Sequence, residues 1–224
     1  MNVSEALATR KSVRAFRSDP VPRAIVEEIL HKAARAPSGG NLQPWKVHVL
    51  LGAARDELVR RTKARMAVHP RGGVPEYHIY PPELTEPYKA RRFRIGEAMY
   101  ACLNIPREDK MGRLAQFVRN WEFFGAPVGL IFSIERQMQQ GQWSDLGGFL
   151  QSIMLLAREY GLSTCAQEAW APFHEVIREY LSVPPEQMIF CGMALGYADD
   201  SAAINRLDSE RAPLAEWAVI RETA

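Results

Sequence analysis

The alternation of apolar and polar positions divides the 224-residue chain into helices and strands separated by connections of uneven length. Ile25, Val26, Ile29, Leu30 and Ala33 recur at the i, i+3, i+4, i+7 intervals that line one side of a helix. Pro22 suits the first helical position and Pro37 cannot continue the run, so a helix over 22–35 is predicted. Upstream, Asn2 with Glu5 three residues later predicts a short capped helix over 2–9. Trp45, Val47, Val49 and Leu51 occupy every second position and predict a strand with these residues on one face. Helical patterns follow over 52–66, 88–103 and 109–124. Residues 127–134 and 187–197 are nearly continuous apolar runs, as expected of strands buried on both faces. Between them Leu146, Phe149, Leu150, Ile153, Met154, Ala157 and Tyr160 form the broadest helical face, with Ser144 or Asp145 as its cap and Gly161 as its stop.

Helices and strands alternate, but irregularly, which favours an α+β fold with a mixed central sheet over a doubly wound one. From His69 to Pro87 the chain holds five prolines and two glycines and loses its periodicity. A long insertion of this kind (69–94) is either a lid or wall for a substrate or an inert excursion. The tail from Asp199 to Ala224 carries Asn205, Arg206 and Arg211 but no apolar face of its own, and reads as an extended arm. With no repeat or linker elsewhere, 1–224 is expected to form one domain.

Charge narrows the partners. The balance of 28 basic and 26 acidic side chains gives no reason to expect nucleic acid or a membrane surface. The basic residues instead cluster at 10–17, 60–65 and 89–94, a spacing that suits local recognition of phosphate or carboxylate. The three cysteines form no C-x-x-C pair, which suggests free thiols in a reducing compartment. Residues 1–20 contain no apolar signal core, and no segment approaches the roughly 18 apolar residues of a membrane span. A cytoplasmic location is expected.

Two segments carry candidate chemistry. Arg10, Lys11, Ser12 and Arg14 place cations and a hydroxyl close together, and an arginine fork matches phosphate oxygens bidentately. Pro37-Ser38-Gly39-Gly40-Asn41 then forms a turn that could bring backbone close to a ligand. Taken alone, each reads as readily as a solvated basic turn or a plain helix stop. Other sites are excluded: there is no G-x-G-x-x-G, phosphate-loop or G-x-S-x-G motif, and His174-Glu175 is followed at the zinc-helix position by Arg178. The histidines are scattered, so no metal centre is expected.

In this order the segments resemble the FMN-dependent nitroreductase family across nearly the whole chain. The resemblance rests on Arg10-Lys11-Ser12-Val13-Arg14, on Pro37 through Trp45, on Asn120 through Pro127, on Gly161 through Trp170, and on Gly196-Tyr197-Ala198-Asp199 leading to Asn205-Arg206-Leu207 and Arg211-Ala212-Pro213-Leu214. It implies a nitroreductase-like mixed sheet flanked by helices, in a homodimer with exchanged terminal segments. It also implies non-covalent FMN, with Arg10, Lys11, Ser12 and Arg14 at its ribityl phosphate and pyrimidine edge and Arg206 as a second phosphate-side cation. Pro37, Ser38, Gly39 and Asn41 correspond to a turn supplied by the other subunit, Asn120 to an asparagine at the pyrimidine edge, and Ala166, Gln167, Glu168 and Ala169 to the segment along the ring. The family has proline and glycine where Ala166 and Ala169 stand, which changes the expected backbone path.

The implied activity is hydride transfer from NADH or NADPH to flavin N5, then ping-pong reduction of a nitroaromatic, quinone or similar small acceptor. FMN carries the redox chemistry, so no catalytic acid–base side chain is expected. The same scaffold could instead act on activated alkenes, heterocycles or halogenated aromatics, or bind flavin without turnover.

Overall fold

Two strands buried on both faces organise the molecule, and the remaining elements pack against them. The structure is a computed structural model and describes residues 1–222; Thr223 and Ala224, the end of the expected arm, lie outside the described residues. In chain order the main elements are α1 (Val3–Thr9), α2 (Arg23–Ala33), β1 (Trp45–Leu51), α3 (Ala53–Val68), α4 (Tyr88–Cys102), α5 (Lys110–Val118), β2 (Val128–Glu135), α6 (Gln140–Glu159), β3 (Ser163–Gln167), α7 (His174–Leu181) and β4 (Gln187–Gly196). The sheet order is β1-β2-β4-β3.

The α+β class holds, with one refinement of the expected mixed sheet. All three strand ladders are antiparallel, and parallel pairing is confined to an isolated bridge between Ser12 and Thr164. The segment at Ser12 is extended but touches β3 at one point, too little to count as a fifth strand.

Strand periodicity sorts the core. Val128, Leu130, Phe132 and Ile134 of β2 face α2 and α6, whose Ile29, Leu146, Phe149 and Ile153 complete one apolar layer. Ile131 faces the opposite side, with Leu58 of α3, Ile177 of α7 and the aromatics Trp121, Phe123, Trp170 and Phe173. In β4, Cys191 pairs with Phe132 and Ile189 with Ser133, which leaves Phe190 as a bulge residue. The bulge reverses the inward parity of β4, so Met188 and Met193 reach the same layer although their spacing is odd. Gly129 and Gly192 make room for the second layer. A Cβ at Gly129 would lie 2.5 Å from Phe123 Cζ, and one at Gly192 would lie 2.3 Å from Trp170 Cδ1. The two rings stack with centroids 4.6 Å apart over these glycines.

Several predicted boundaries move. Pro22 caps α2 from outside, and the helix ends at Ala33. The longest helix, α6, starts at Gln140, with Gln139 and Gln142 forming a reciprocal capping box, so Ser144 and Asp145 lie inside it. Its first turn faces solvent, which hides it from an apolar pattern. The helix expected over 109–124 stops at Val118 and gives way to a 3₁₀ turn over Arg119–Gly125. In that turn Phe123 and Phe124 adopt φ of +50° and +54°, a conformation costing about 1–2 kcal/mol per residue for L side chains. On β1, Val49 is exposed while Leu50 is buried, because β1 is an edge strand with α3 on its other side. β3 and α7 escaped the periodicity reading. β3 is short with several small or polar residues, and α7 spans two turns.

The irregular segment ends at Pro87, and its first half is fastened to the body. Tyr77 stacks on Phe190 and donates its hydroxyl to the Phe190 carbonyl at 2.6 Å. The Glu76 carboxylate, with its side chain 13% exposed, meets the guanidinium groups of Arg136 and Arg178 and accepts from the Ile189 N–H at 3.2 Å. Gly73 N–H donates to the Pro172 carbonyl at 2.6 Å. Replacing Glu76 with Gln is expected to lower folding stability by about 1–3 kcal/mol, since two guanidinium groups lose their shared counter-charge. Urea unfolding checks this, and an unchanged midpoint would contradict the anchoring role.

Candidate cofactor-binding site

Residues 10–17 leave α1 as an extended segment held through its backbone. Val13 N–H donates to the Thr164 carbonyl at 3.0 Å, Phe16 N–H to the Phe124 carbonyl at 3.3 Å, and Arg17 N–H to the Tyr197 carbonyl at 2.9 Å. The Ala15 carbonyl accepts from Asp199 N–H at 3.0 Å. Asn205 completes the attachment from the tail: its Oδ1 accepts from Arg14 N–H at 2.8 Å, and its Nδ2 donates to the carbonyls of Ala15 and Asp199. An amide side chain can accept and donate at once, which this junction requires.

Extended geometry sends alternate side chains to opposite sides. Val13 and Ala15 are buried, while Arg10, Ser12 and Arg14 line a cleft of about 380 Å³, with Leu207, Asp208, Ser209 and Arg211 on the opposing wall. Lys11 reaches both this cleft and a smaller one lined by Arg17, Arg158 and Ser163. Among the described residues, Arg10, Lys11 and Arg14 have no carboxylate at ion-pair distance; the one side-chain bond they make is from Arg14 Nη1 to the Ser12 carbonyl at 3.1 Å. Their field reaches inward to Cys165. Burial pushes that thiol up to about 11, while Arg14 and Arg10 pull the other way. A buried thiol in that state is no nucleophile.

The structure also brings Asn120 and Gln167 together. Gln167 Nε2 donates to the Asn120 carbonyl at 2.7 Å and lies 3.3 Å from Asn120 Oδ1, and Asn120 Nδ2 donates to the Phe117 carbonyl. Gln167 is 2% exposed, and its Oε1 has no partner among the described residues; Thr164 Oγ1 is likewise buried and unpaired. Buried acceptors and donors of this kind cost free energy unless something satisfies them. Ala166 is exposed on the edge strand β3, Ala169 is half-buried with its carbonyl accepting from Trp121 Nε1, and desolvation raises the Glu168 carboxyl above the usual range. The uncompensated cations of the cleft fit the phosphate of a ligand such as FMN, whereas Gln167 Oε1 and Thr164 Oγ1 are buried beneath β3 and reach no cleft surface.

Of the predicted site residues only Arg10, Lys11, Ser12 and Arg14 line this cleft; Asn120 and the Ala166–Ala169 segment lie outside its wall, as do Arg206 and the Pro37–Asn41 turn. Arg206 is exposed immediately before Leu207 and does not form part of the wall. The Pro37–Asn41 turn packs against α6, where Gly39 N–H donates to Asp145 Oδ2 at 3.1 Å, and Ser38 Oγ accepts from Gln43 N–H. It does not line the Arg10 cleft of its own chain. Asn205 and the 207–211 wall were not among the expected site residues. The partners that give Asn205 its role, Arg14 and Ala15, lie about 190 positions away.

The chain is similar to known proteins along most of its length. A model described as Nitroreductase family matches residues 7–197. A 4-nitrobenzoate reductase of Pseudomonas putida is 40% identical over 205 residues, covering 92% of this chain and 89% of that protein. The crystal structure of the FMN and NADPH-dependent nitroreductase NfnB from Sphigopyxis sp. strain HMH matches all of both chains with a TM-score of 0.97 and 46% identity. That of the FMN-dependent nitroreductase NfnB from Mycobacterium smegmatis in complex with NADPH matches 99% of this chain and 100% of that chain, with a TM-score of 0.92 and 28% identity.

Asn205→Ala removes no charge but releases the segment that presents the cations. It is expected to destabilise the protein by about 1–3 kcal/mol and to weaken FMN retention. Thermal melting and flavin content after gel filtration read the two effects, and full flavin occupancy would count against Asn205 as a positioning residue.

Proposed function

The chain belongs to the nitroreductase family, and on that premise we propose that it is an FMN-dependent oxidoreductase drawing on NADPH or NADH to reduce nitroaromatic or quinone-like acceptors. The observation that carries this reading is the cleft lined by Arg10, Lys11 and Arg14, which among the described residues have no carboxylate at ion-pair distance. Bound FMN supplies what no side chain here can: hydride uptake at N5 and its delivery to an acceptor in a ping-pong cycle.

The protein binds and orients. Arg10 and Lys11 would hold the phosphate and the Ser12 hydroxyl would donate to it, while Arg206, outside the cleft wall, would add its charge from the neighbouring turn. Arg14 and the Asn120–Gln167 amide pair serve the pyrimidine edge, where a cation and amide donors favour the electron-rich form of the ring. The Ala166–Ala169 backbone would lie along the ring. Donor and acceptor use one open face in turn, which explains why no acid–base pair is needed.

The chain functions in this reading as one domain within a homodimer. The separation of Pro37, Ser38, Gly39 and Asn41 from the cleft supports a turn that acts on the partner's flavin. Exposed Leu214, Trp217, Val219 and Ile220 on the 199–224 arm support exchange of terminal segments across the interface. The anchoring of Glu76 and Tyr77 restricts any lid to the part of 69–94 beyond them. Among the described residues no helix is long and apolar enough to cross a membrane; the free Cys102, Cys165 and Cys191 support a reducing cytoplasm.

Purified protein is expected to be yellow and to bleach anaerobically on addition of NADPH or NADH. Arg10→Ala and Arg206→Ala are each expected to raise the FMN dissociation constant about tenfold or more. Mixed dimers of Arg10→Ala and Asn41→Ala protomers should regain one intact site. Full flavin retention by both arginine variants, measured spectrophotometrically, would overturn the phosphate assignment.

A further inference from the structure

Residues 10–17 present a second row of side chains that the Arg10 cleft leaves unused. Alternate positions of an extended chain face opposite ways, and Lys11 and Arg17 line a separate cleft of about 290 Å³. Arg158 and Ser163 contribute to it from the point where α6 gives way to β3, and Asp200 from the loop after β4. Lys11 is the one side chain that lines both clefts.

The charges of this second cleft do not cancel. Arg17 is engaged: its Nε pairs with Asp19 at 2.8 Å, and Asp19 and, more weakly, Asp200 hold its pKa above the ordinary value. Among the described residues, Lys11 and Arg158 have no carboxylate at ion-pair distance. Arg158 is half-buried and held in place by its neighbours. Its Nη1 donates to the Leu162 carbonyl at 2.7 Å and to Ser163 Oγ at 3.0 Å, and its Nε donates to Thr9 Oγ1 at 3.4 Å. Its Nη2 has no hydrogen-bond partner among the described residues. Ser163, 6% exposed, accepts from Arg158, and its own hydroxyl proton has no acceptor among the described residues. Tying down the end of α6 accounts for Nη1 but requires neither Nη2 nor Lys11. A guanidinium, an ammonium and a hydroxyl that share one small cleft are a donor set for a tetrahedral oxyanion.

We propose that this cleft is a second anion site, which takes inorganic phosphate or the phosphate of a small monoester between Arg158, Ser163 and Lys11. It lies on the opposite side of the extended segment from the Arg10 cleft. An anion here draws Lys11 away from an anion there, so the two ligands antagonise one another through a shared ammonium. Linkage makes that effect mutual. The antagonism rests on the reading that the Arg10 cleft holds FMN; the site itself does not.

Calorimetric titration of the flavin-loaded protein with inorganic phosphate and with glycerol 3-phosphate, in chloride at constant ionic strength, tests the site. Arg158→Gln is expected to weaken binding about tenfold or more, the scale of one charge-assisted contact. Ser163→Ala leaves the bond from Arg158 to Leu162 in place and should weaken binding about threefold, so the site stays testable if Arg158→Gln fails to fold. The tighter of the two ligands identifies the source of the phosphate group. No binding to the wild type, or undiminished binding in the variants, overturns the site. The FMN dissociation constant, followed by flavin fluorescence against rising phosphate, tests the sharing of Lys11. It should rise on the order of fivefold and then level off, and Arg158→Gln should flatten the curve. Phosphate competing inside the Arg10 cleft would raise the constant without limit and alike in both proteins, which overturns the antagonism. Protein that takes up no flavin on reconstitution overturns the cofactor reading instead, while phosphate binding lost in Arg158→Gln upholds the site.

Discussion

The site depends on backbone hydrogen bonds that hold residues 10–17 extended between β3, the Arg119–Gly125 turn and the loop from Tyr197 to Asn205. Four cations, Arg10, Lys11, Arg14 and Arg17, fall within this short stretch and repel one another. A segment fixed by side-chain ion pairs would have its charges neutralised. Here main-chain groups and the Asn205 amide do the holding, and among the described residues Arg10, Lys11 and Arg14 have no carboxylate at ion-pair distance. Preorganised cations on a rigid frame avoid the reorganisation that mobile ones would undergo on binding.

That frame is built around β2 and β4. Their glycines at 129 and 192 admit the Phe123–Trp170 stack, which sets the height of the Arg119–Gly125 turn above the sheet. The turn in turn presents the Phe124 carbonyl to Phe16 and the Asn120 amide and carbonyl to Gln167. The positive φ angles of Phe123 and Phe124 are local strain that the surrounding aromatic core over-determines. The cofactor cleft therefore rests on packing in a layer that itself carries no charge.

The irregular segment and the arm contribute in different ways. Glu76 and Tyr77 fasten the start of the insertion to α7 and β4. The arm is joined to α4 by charge pairs, Arg91 with Glu216 and Arg94 with Glu210, in an exposed setting where such pairs stabilise only weakly.

The sequence by itself determined the central strands, the faces of α2 and α6 and the identity of the cationic segment, because each is written in local periodicity or local composition. It also carried, through its ordered motifs, the family to which the chain belongs. Only the tertiary structure decided that Asn205 pins Arg14, that Gln167 meets Asn120, and that Arg91 and Arg94 of α4 pair with Glu216 and Glu210 of the arm. These are contacts between residues far apart in the chain, and no window of sequence contains both members. The same holds for the 109–124 segment. Its helical pattern is real as far as Val118, but the demand of two aromatic rings for space over Gly129 and Gly192 turns the rest into a strained 3₁₀ loop. Periodicity reports which face a residue prefers; packing decides which neighbour it finds there.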